Sequence, residues 1–182
     1  MKISDTGFEG LKILIPTVFT DNRGYFFESY KKDEFIRSGI AFDPVQDNES
    51  RSSKGVVRGL HYQLNPHSQS KLVRVVEGVI YDVALDLRRS SPTYGKWFGI
   101  ELDTINRKQL FIPKGFAHGF SVLSEYAVIQ YKIEGPYNPS AERGISAIDP
   151  YLNIDWKTDR KDMIFSEKDL KSPLFSNAEY NF

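Results

Sequence analysis

The sequence predicts an all-β fold, a sandwich or barrel of short strands, and three observations carry that expectation. Aliphatic, β-branched and aromatic residues gather in short runs. Gly, Pro, Asn and Asp punctuate those runs as turn residues do. One run alternates, with Val83, Leu85 and Leu87 in one phase and Asp82, Ala84 and Asp86 in the other, the period of a strand with one buried face. The chain of 182 residues suits one domain with a sizeable core, and it shows no repeat, low-complexity stretch or linker, so one domain over residues 1–182 is expected.

Taken in order, the elements read as follows. Met1 to Gly10 is a polar, acidic lead-in. Leu11 to Val18 is aliphatic and interrupted by Pro16, which suits an edge strand. Asp21-Asn22-Arg23-Gly24 is a turn, and the aromatic run Tyr25 to Tyr30 follows as a strand. Lys31 to Ser38 sets Phe35 and Ile36 among charges before Gly39, the pattern of a short helix with a glycine C-cap. Leu72 to Val76 and Val79 to Leu87, split by Glu77-Gly78, suggest a hairpin. Gly99 to Leu102, Gln109 to Ile112, Gly119 to Leu123 and Ala127 to Ile133 continue the strand series. Asp155 to Phe182 mixes charges and aromatics without a period, as expected of short helical turns packed on a barrel.

Composition removes several function classes. Basic and acidic residues balance at 24 each, without the basic excess of a general nucleic-acid or membrane binder. With no cysteine, thiol catalysis, disulfides and thiolate metal sites are excluded. The N-terminus lacks a signal-peptide pattern, and no apolar run nears the roughly 20 residues of a membrane helix, so a cytoplasmic protein is expected. Aromatic residues make up 14% of the chain, which suits pockets that stack on flat ligands.

Only three histidines are available for chemistry: His61, His67 and His118. His61 lies in Arg58-Gly59-Leu60-His61-Tyr62-Gln63, where strand alternation puts His61 and Gln63 on one face and Arg58 out of phase. His67 lies between Pro66 and Ser68 in an expected loop, as a bystander. His118 closes Pro113-Lys114-Gly115-Phe116-Ala117-His118, which resembles the Pro-x-Gly-x-x-His motif of cupin barrels. The segment around His61 resembles their His-x-His motif, with Gln63 in place of the second histidine. That resemblance implies a double-stranded β-helix, the jelly-roll or cupin barrel, with a few short peripheral helices. Gln is a poor ligand beside imidazoles, so no metal is expected. Both histidines could equally be satisfied barrel residues without chemistry.

More specifically, the chain resembles the dTDP-4-dehydrorhamnose 3,5-epimerase family. The matching stretches include Phe19 to Glu28, Gln46 to Ser50, Gly55 to Gln63, Lys71 to Val75 and Ile112 to Phe120. Tyr131-Lys132, Tyr137-Asn138-Pro139 and Ser166-Glu167-Lys168-Asp169 follow in the family's order, so the match spans nearly the whole chain. The family's substrate is a dTDP-linked 4-keto-6-deoxy sugar, whose hydrogens at C3 and C5 flank a ketone. Removing either gives an enolate, and inversion needs a base on one face and a proton donor on the other. Donors or positive charge must also meet the ketone oxygen. No cofactor is required.

The resemblance implies His61 as base, Asp169 as its orienting carboxylate, Tyr131 as acid, and Lys71 with Arg58 at the enolate oxygen. Arg23 and Lys168 would hold the diphosphate, and Phe26 and Tyr137 would sandwich the thymine. Glu28, Gln46 and Asn48 would bond the base or ribose, with His118 nearby. Glu142 is also counted among the substrate-binding residues. The resemblance further implies a homodimer in which Arg23, Phe26 and Glu28 serve the neighbouring subunit's site.

Each residue has a plainer reading too. Tyr131, in Val128-Ile129-Gln130-Tyr131, and Phe26 suit core packing. Lys71 suits a solvated strand end, and Asp169 a surface acid in a charged tail. The chain departs from the family after Gly144-Ile145, with Ser146-Ala147-Ile148-Asp149-Pro150 where an aromatic and consecutive acids are usual. A single-carbon epimerase, or one acting on another nucleotide sugar, is therefore the nearest alternative. A ketoisomerase, a metal-dependent oxygenase and a non-catalytic sugar-binding barrel are more distant ones.

Overall fold

The computed structural model describes every residue, Met1–Phe182. It contains thirteen strands: β1 (Lys2–Asp5), β2 (Lys12–Ile15), β3 (Phe19–Asp21), β4 (Gly24–Phe26), β5 (Gln46–Ser53), β6 (Val57–Gln63), β7 (Ser70–Glu77), β8 (Val79–Asp86), β9 (Trp97–Asp103), β10 (Gln109–Ile112), β11 (Phe116–Val122), β12 (Tyr126–Glu134) and β13 (Glu142–Gly144). The helices are α1 (Lys32–Arg37) and α2 (Glu167–Leu170), with 3₁₀ turns at Arg160–Asp162 and Phe175–Asn177.

One sheet has the order β1-β2-β10-β7-β12-β5 and the second β13-β6-β11-β8-β9, while β3 and β4 form a separate hairpin. From β5 to β8 the chain changes sheet at every strand, and it does so again from β9 to β13. That alternation between two antiparallel sheets is the winding of the expected jelly roll.

Three apolar layers hold the sheets. Between them lie Val73, Val75, Leu110, Ile112 and Ile129 from one side and Ala84, Phe116 and Phe120 from the other. Behind the five-stranded sheet, Val57, Leu60, Val83 and Leu85 pack on Ile145, Leu152, Trp156 and Phe175 of the C-terminal third. Behind the six-stranded sheet, Leu14, Leu72 and Phe111 are covered by Phe35, Ile40 and Phe42. Fully burying one such side chain contributes about 1.5–3 kcal/mol. The α1 helix ends as its sequence predicts. The Gly39 amide donates to the Ile36 carbonyl and the Ile40 amide to the Phe35 carbonyl, a Schellman pair.

Four expectations about the strands need correction. The runs on either side of Glu77-Gly78 are not a hairpin, because β7 and β8 belong to different sheets. A single residue between them is too short for a hairpin loop. Gly78 instead turns a corner so tight that a Cβ there would meet the Tyr126 carbonyl oxygen at 2.2 Å. Second, β8 is buried on both faces: Asp82 and Asp86 share the phase of Ile80 and Ala84, which turns to the other sheet, while the C-terminal third covers Val83, Leu85 and Leu87. Third, β2 is not an edge strand: the polar lead-in forms β1, which pairs with it and takes the edge. The aromatic strand also stops at Phe26, short of Tyr30.

Candidate active site

A cavity of about 190 Å³ opens between the two sheets. Its walls come from opposite layers. His61 on β6 stands in the five-stranded sheet, while Asn48 on β5, Lys71 on β7 and Tyr131 on β12 stand in the six-stranded one. Tyr131 pairs across its ladder with Asn48 and Val73, and Ile133 with Lys71, so these side chains share the inner face.

A bulge corrects the phase of Arg58. His61 pairs with His118 and Arg58 with Phe120, three residues on β6 against two on β11. The extra residue brings Arg58 onto the face of His61, and its Nε reaches Ser52 Oγ of the opposite sheet at 3.0 Å. Gly59 makes the bulge possible: with φ +118°, it lies where a Cβ would sit 2.6 Å from Gly119 Cα.

His61 Nε2 lies 2.6 Å from Asp169 Oδ1. An ionised carboxylate only accepts, so Nε2 carries a proton, and in the neutral ring Nδ1 keeps the lone pair. Asp169 is delivered by α2, whose N-cap Ser166 accepts from the Asp169 amide at 3.1 Å. Burial pushes the Asp169 carboxyl up, but the bonds from His61 and Ser166 together outweigh it and hold the group below its usual range. An acid in a charged tail is thus a buried partner of the histidine, not a surface residue.

Lys71 lines the cavity wall half-buried and has no carboxylate within 4 Å, so it is not the solvated strand end of the plainer reading. Burial pulls its ammonium down to about 8, against the opposing fields of Asp82 and Glu142. Glu142 Oε2 receives Tyr137 Oη at 2.8 Å and Lys168 Nζ at 2.6 Å. Burial raises the Glu142 carboxyl, while these two donors and the His61 charge bring it below its usual value. The bond to Glu142 in turn raises the Tyr137 phenol. Gln46 donates to Asn48 Oδ1 at 2.8 Å on the rim of the same wall.

The chain therefore gathers His61, Asp169, Tyr131, Lys71, Asn48, Tyr137, Glu142 and Lys168 around one cavity, with Arg58 and Gln46 beside it. His118 is not on the cavity wall. Its ring is buried, and Nε2 meets Asp82 Oδ1 at 2.7 Å. Arg23, Phe26 and Glu28 are not brought to this cavity either. Arg23 pairs with Asp21, Glu28 with Lys31, and Phe26 is 64% exposed on the β3–β4 hairpin, so it is not core.

Sequence reasoning missed Asp82, whose Oδ2 is buried without a partner, because strand alternation assigned it to a solvent face. It also missed Phe182 and Gln69 on the cavity lining, which no motif marks. Residues 145–150 do not line the cavity. Ile145 and Ala147 pack behind the sheet, and Asp149 accepts from the Tyr151 and Phe175 amides, so the departure from the family's pattern lies away from the cavity.

No group of three or more His, Cys, Asp or Glu comes together as a metal site. The Gln63 amide is taken: Oε1 accepts from the Asn138 amide at 2.7 Å and Nε2 donates to the His67 carbonyl at 2.8 Å.

The family described as dTDP-4-dehydrorhamnose 3,5-epimerase matches residues 5–177. A dTDP-4-dehydrorhamnose 3,5-epimerase of Shigella flexneri is 46% identical over 181 residues, 99% of each chain. The crystal structure of a protein of that name from Elizabethkingia anophelis superposes with a TM-score of 0.94 at 48% identity, covering 97% of both chains. A dTDP-6-deoxy-D-glucose-3,5-epimerase from Legionella pneumophila, solved in complex with dTDP-4-keto-L-rhamnose, gives 0.92 at 45% identity, covering 97% of this chain and 93% of that one. By the family model and by these relatives, the chain belongs to the dTDP-4-dehydrorhamnose 3,5-epimerase family.

Proposed function

We propose that this protein inverts C3 and C5 of dTDP-4-dehydro-6-deoxy-D-glucose, giving dTDP-4-dehydro-L-rhamnose, by proton transfer through enolates. The observation that carries this reading is the placement of His61 and Tyr131 on opposite walls of one cavity. A sugar between the sheets would present one face to the imidazole and the other to the phenol. His61 Nδ1 removes the proton beside the ketone, and the Asp169 carboxylate stabilises the imidazolium, as an orienting acid does in other His–Asp pairs. Negative charge then grows on the ketone oxygen, where the Lys71 ammonium and the Arg58 guanidinium stabilise it. Tyr131 returns a proton to the opposite face. One base serves both carbons, because both hydrogens flank the same carbonyl.

The nucleotide half is held at the cavity mouth by Tyr137, Lys168 and Glu142, with Asn48 and Gln46 on the rim. His118 acts from below: it stands opposite His61 in the ladder, and its bond to Asp82 ties its own strand β11 to β8. Arg23, Phe26 and Glu28 complete the site of a second subunit in a homodimer. Their exposure on a projecting hairpin supports this, since a guanidinium and an aromatic ring are the groups a thymidine diphosphate needs. The chain works as one domain without metal or cofactor, and no helix is long and apolar enough to cross a membrane. A cytoplasmic location belongs to the same proposal and is checked by cell fractionation.

Incubation with the keto-sugar in D₂O, followed by NMR, tests the reading. Deuterium at both C3 and C5 is expected. Deuterium at one carbon would replace it with single-carbon epimerisation, and none would remove this substrate.

A further inference from the structure

The loop Gly135–Ala141 runs from β12 to β13, carries Tyr137, and delivers Glu142 to the cavity. A second loop, Leu64–Gln69, runs from β6 to β7 beside it. Four side-chain contacts tie the two together. Gln63 and Gln69 supply three of them: Gln63 Oε1 accepts from the Asn138 amide at 2.7 Å, Gln63 Nε2 donates to the Pro136 carbonyl at 3.5 Å, and Gln69 donates to the Gly135 carbonyl at 3.0 Å. The fourth joins two side chains: Asn138 Nδ2 lies 2.9 Å from His67 Nε2.

That contact has a defined direction. Asn138 Oδ1 is occupied, accepting from the Ser140 amide at 3.0 Å and from Ser140 Oγ at 2.8 Å. The Asn138 side chain therefore turns its NH₂ toward His67, and a donor there requires an acceptor on the ring. His67 must be neutral, with its proton on Nδ1 and the lone pair on Nε2. The residue bonded to Asn138 in sequence is Tyr137, whose phenol meets Glu142 at 2.8 Å and whose ring is otherwise half-exposed. Nothing else among its side-chain bonds fixes where that ring stands.

We propose that His67 and Asn138 are positioning residues: a buckle that uses a neutral imidazole as acceptor to hold Tyr137 where it stacks on the nucleotide base. The inference rests on the reading above that Tyr137 contacts the nucleotide. His67 touches neither the sugar nor the reacting atoms, so its loss acts on binding and not on proton transfer.

Four variants test this: His67→Ala, His67→Gln, Tyr137→Ala and the double variant His67→Ala/Tyr137→Ala. Losing one net hydrogen bond corresponds to roughly a five- to ten-fold change in an equilibrium constant. His67→Ala should raise KM by about that factor with kcat changed less than about two-fold. His67→Gln, whose Oε1 can accept from Asn138, should restore KM. In the Tyr137→Ala background His67→Ala should add nothing, because the ring it positions is gone; a general structural role would act equally in both backgrounds. Long-range ¹H–¹⁵N NMR of the wild-type protein should show His67 Nε2 unprotonated, a readout independent of turnover and of whether a variant folds. A KM unchanged by Tyr137→Ala would overturn the nucleotide reading. A KM raised by Tyr137→Ala but unchanged by His67→Ala, additive effects in the double variant, or a proton on Nε2 would overturn the buckle.

Discussion

Lys71 is placed to do two opposed things, and replacing it with Met should separate them. An ammonium whose folded value is about 8, against an ordinary 10.5, costs stability whenever it is charged. The difference of 2.5 units, at 1.36 kcal/mol each, is about 3 kcal/mol at pH 7. That value already includes the favourable fields of Asp82 and Glu142, so the gain in the variant is at most about 3 kcal/mol. The sign with pH follows from proton counts. Between pH 8 and 10.5 the unfolded chain holds the Lys71 proton and the folded chain does not, so wild-type stability from this group rises with pH across that window. Activity runs the other way, because an enolate needs the charged amine. The rate should fall about ten-fold for each pH unit well above 8, once the ammonium is the minor form. Urea denaturation of wild type and Lys71→Met at pH 7 and pH 9.5, beside rates of deuterium exchange, measures both. Lys71→Met should be more stable at pH 7, keep only roughly half of that advantage at pH 9.5, and exchange at least 10²-fold more slowly. A variant no more stable than wild type at pH 7, with the same dependence on pH, would refute the enclosure of this charge.

Other outcomes follow from the same geometry. His61→Asn should lose exchange at both carbons by about 10²–10⁴ while dTDP still binds by calorimetry; exchange surviving at either carbon would mean a second base. Asp169→Asn removes a carboxylate held below its ordinary value, so wild type should lose stability relative to this variant as pH falls through 3.8 and below, and acid denaturation curves of the two should converge there. Mixing inactive Arg23→Ala with inactive His61→Asn should recover about a quarter of wild-type activity, since half the random dimers carry one intact site of two; no recovery after subunit exchange would place Arg23 in its own subunit's site. Exhaustive dialysis against EDTA should leave activity unchanged, and a loss reversed by a divalent ion would contradict the metal-free mechanism.

The fold class was legible because β-rich runs and turn residues are local signals. The Gly39 cap and the Asp21–Gly24 turn read directly from spacing, and the short helical turns of the tail were expected from its lack of any period. What failed was tertiary. Periodicity reports two faces of a strand but not what covers them: Asp82 and Asp86 read as solvent-facing, yet their face turns to the other sheet, and Trp156, Leu152 and Phe175 close over Val83, Leu85 and Leu87 instead. The same limit hid the corner at Gly78. In the site, His61 and Gln63 were correctly placed on one face, but Arg58 was out of phase because a bulge at Gly59 adds a residue that no alternation rule counts. Asp169 was readable only through family resemblance: nothing local distinguishes an acid one turn into a short helix from any surface acid. Its partner is 108 residues away.

The division of labour between His61 and Tyr131 is tested most directly by Tyr131→Phe. Phenylalanine keeps the ring on the inner face of β12 and removes the one hydroxyl the cavity sets opposite His61. Deprotonation should continue, and the enolate should be reprotonated mainly from its original face. In D₂O the variant should therefore incorporate deuterium faster than it forms inverted sugar, whereas in wild type the two rates agree. A Tyr131 that merely packs would cost about 1 kcal/mol of stability and leave the ratio of exchange to inversion at its wild-type value. That unchanged ratio, in a variant with native circular dichroism, would contradict the assignment of Tyr131 as the acid.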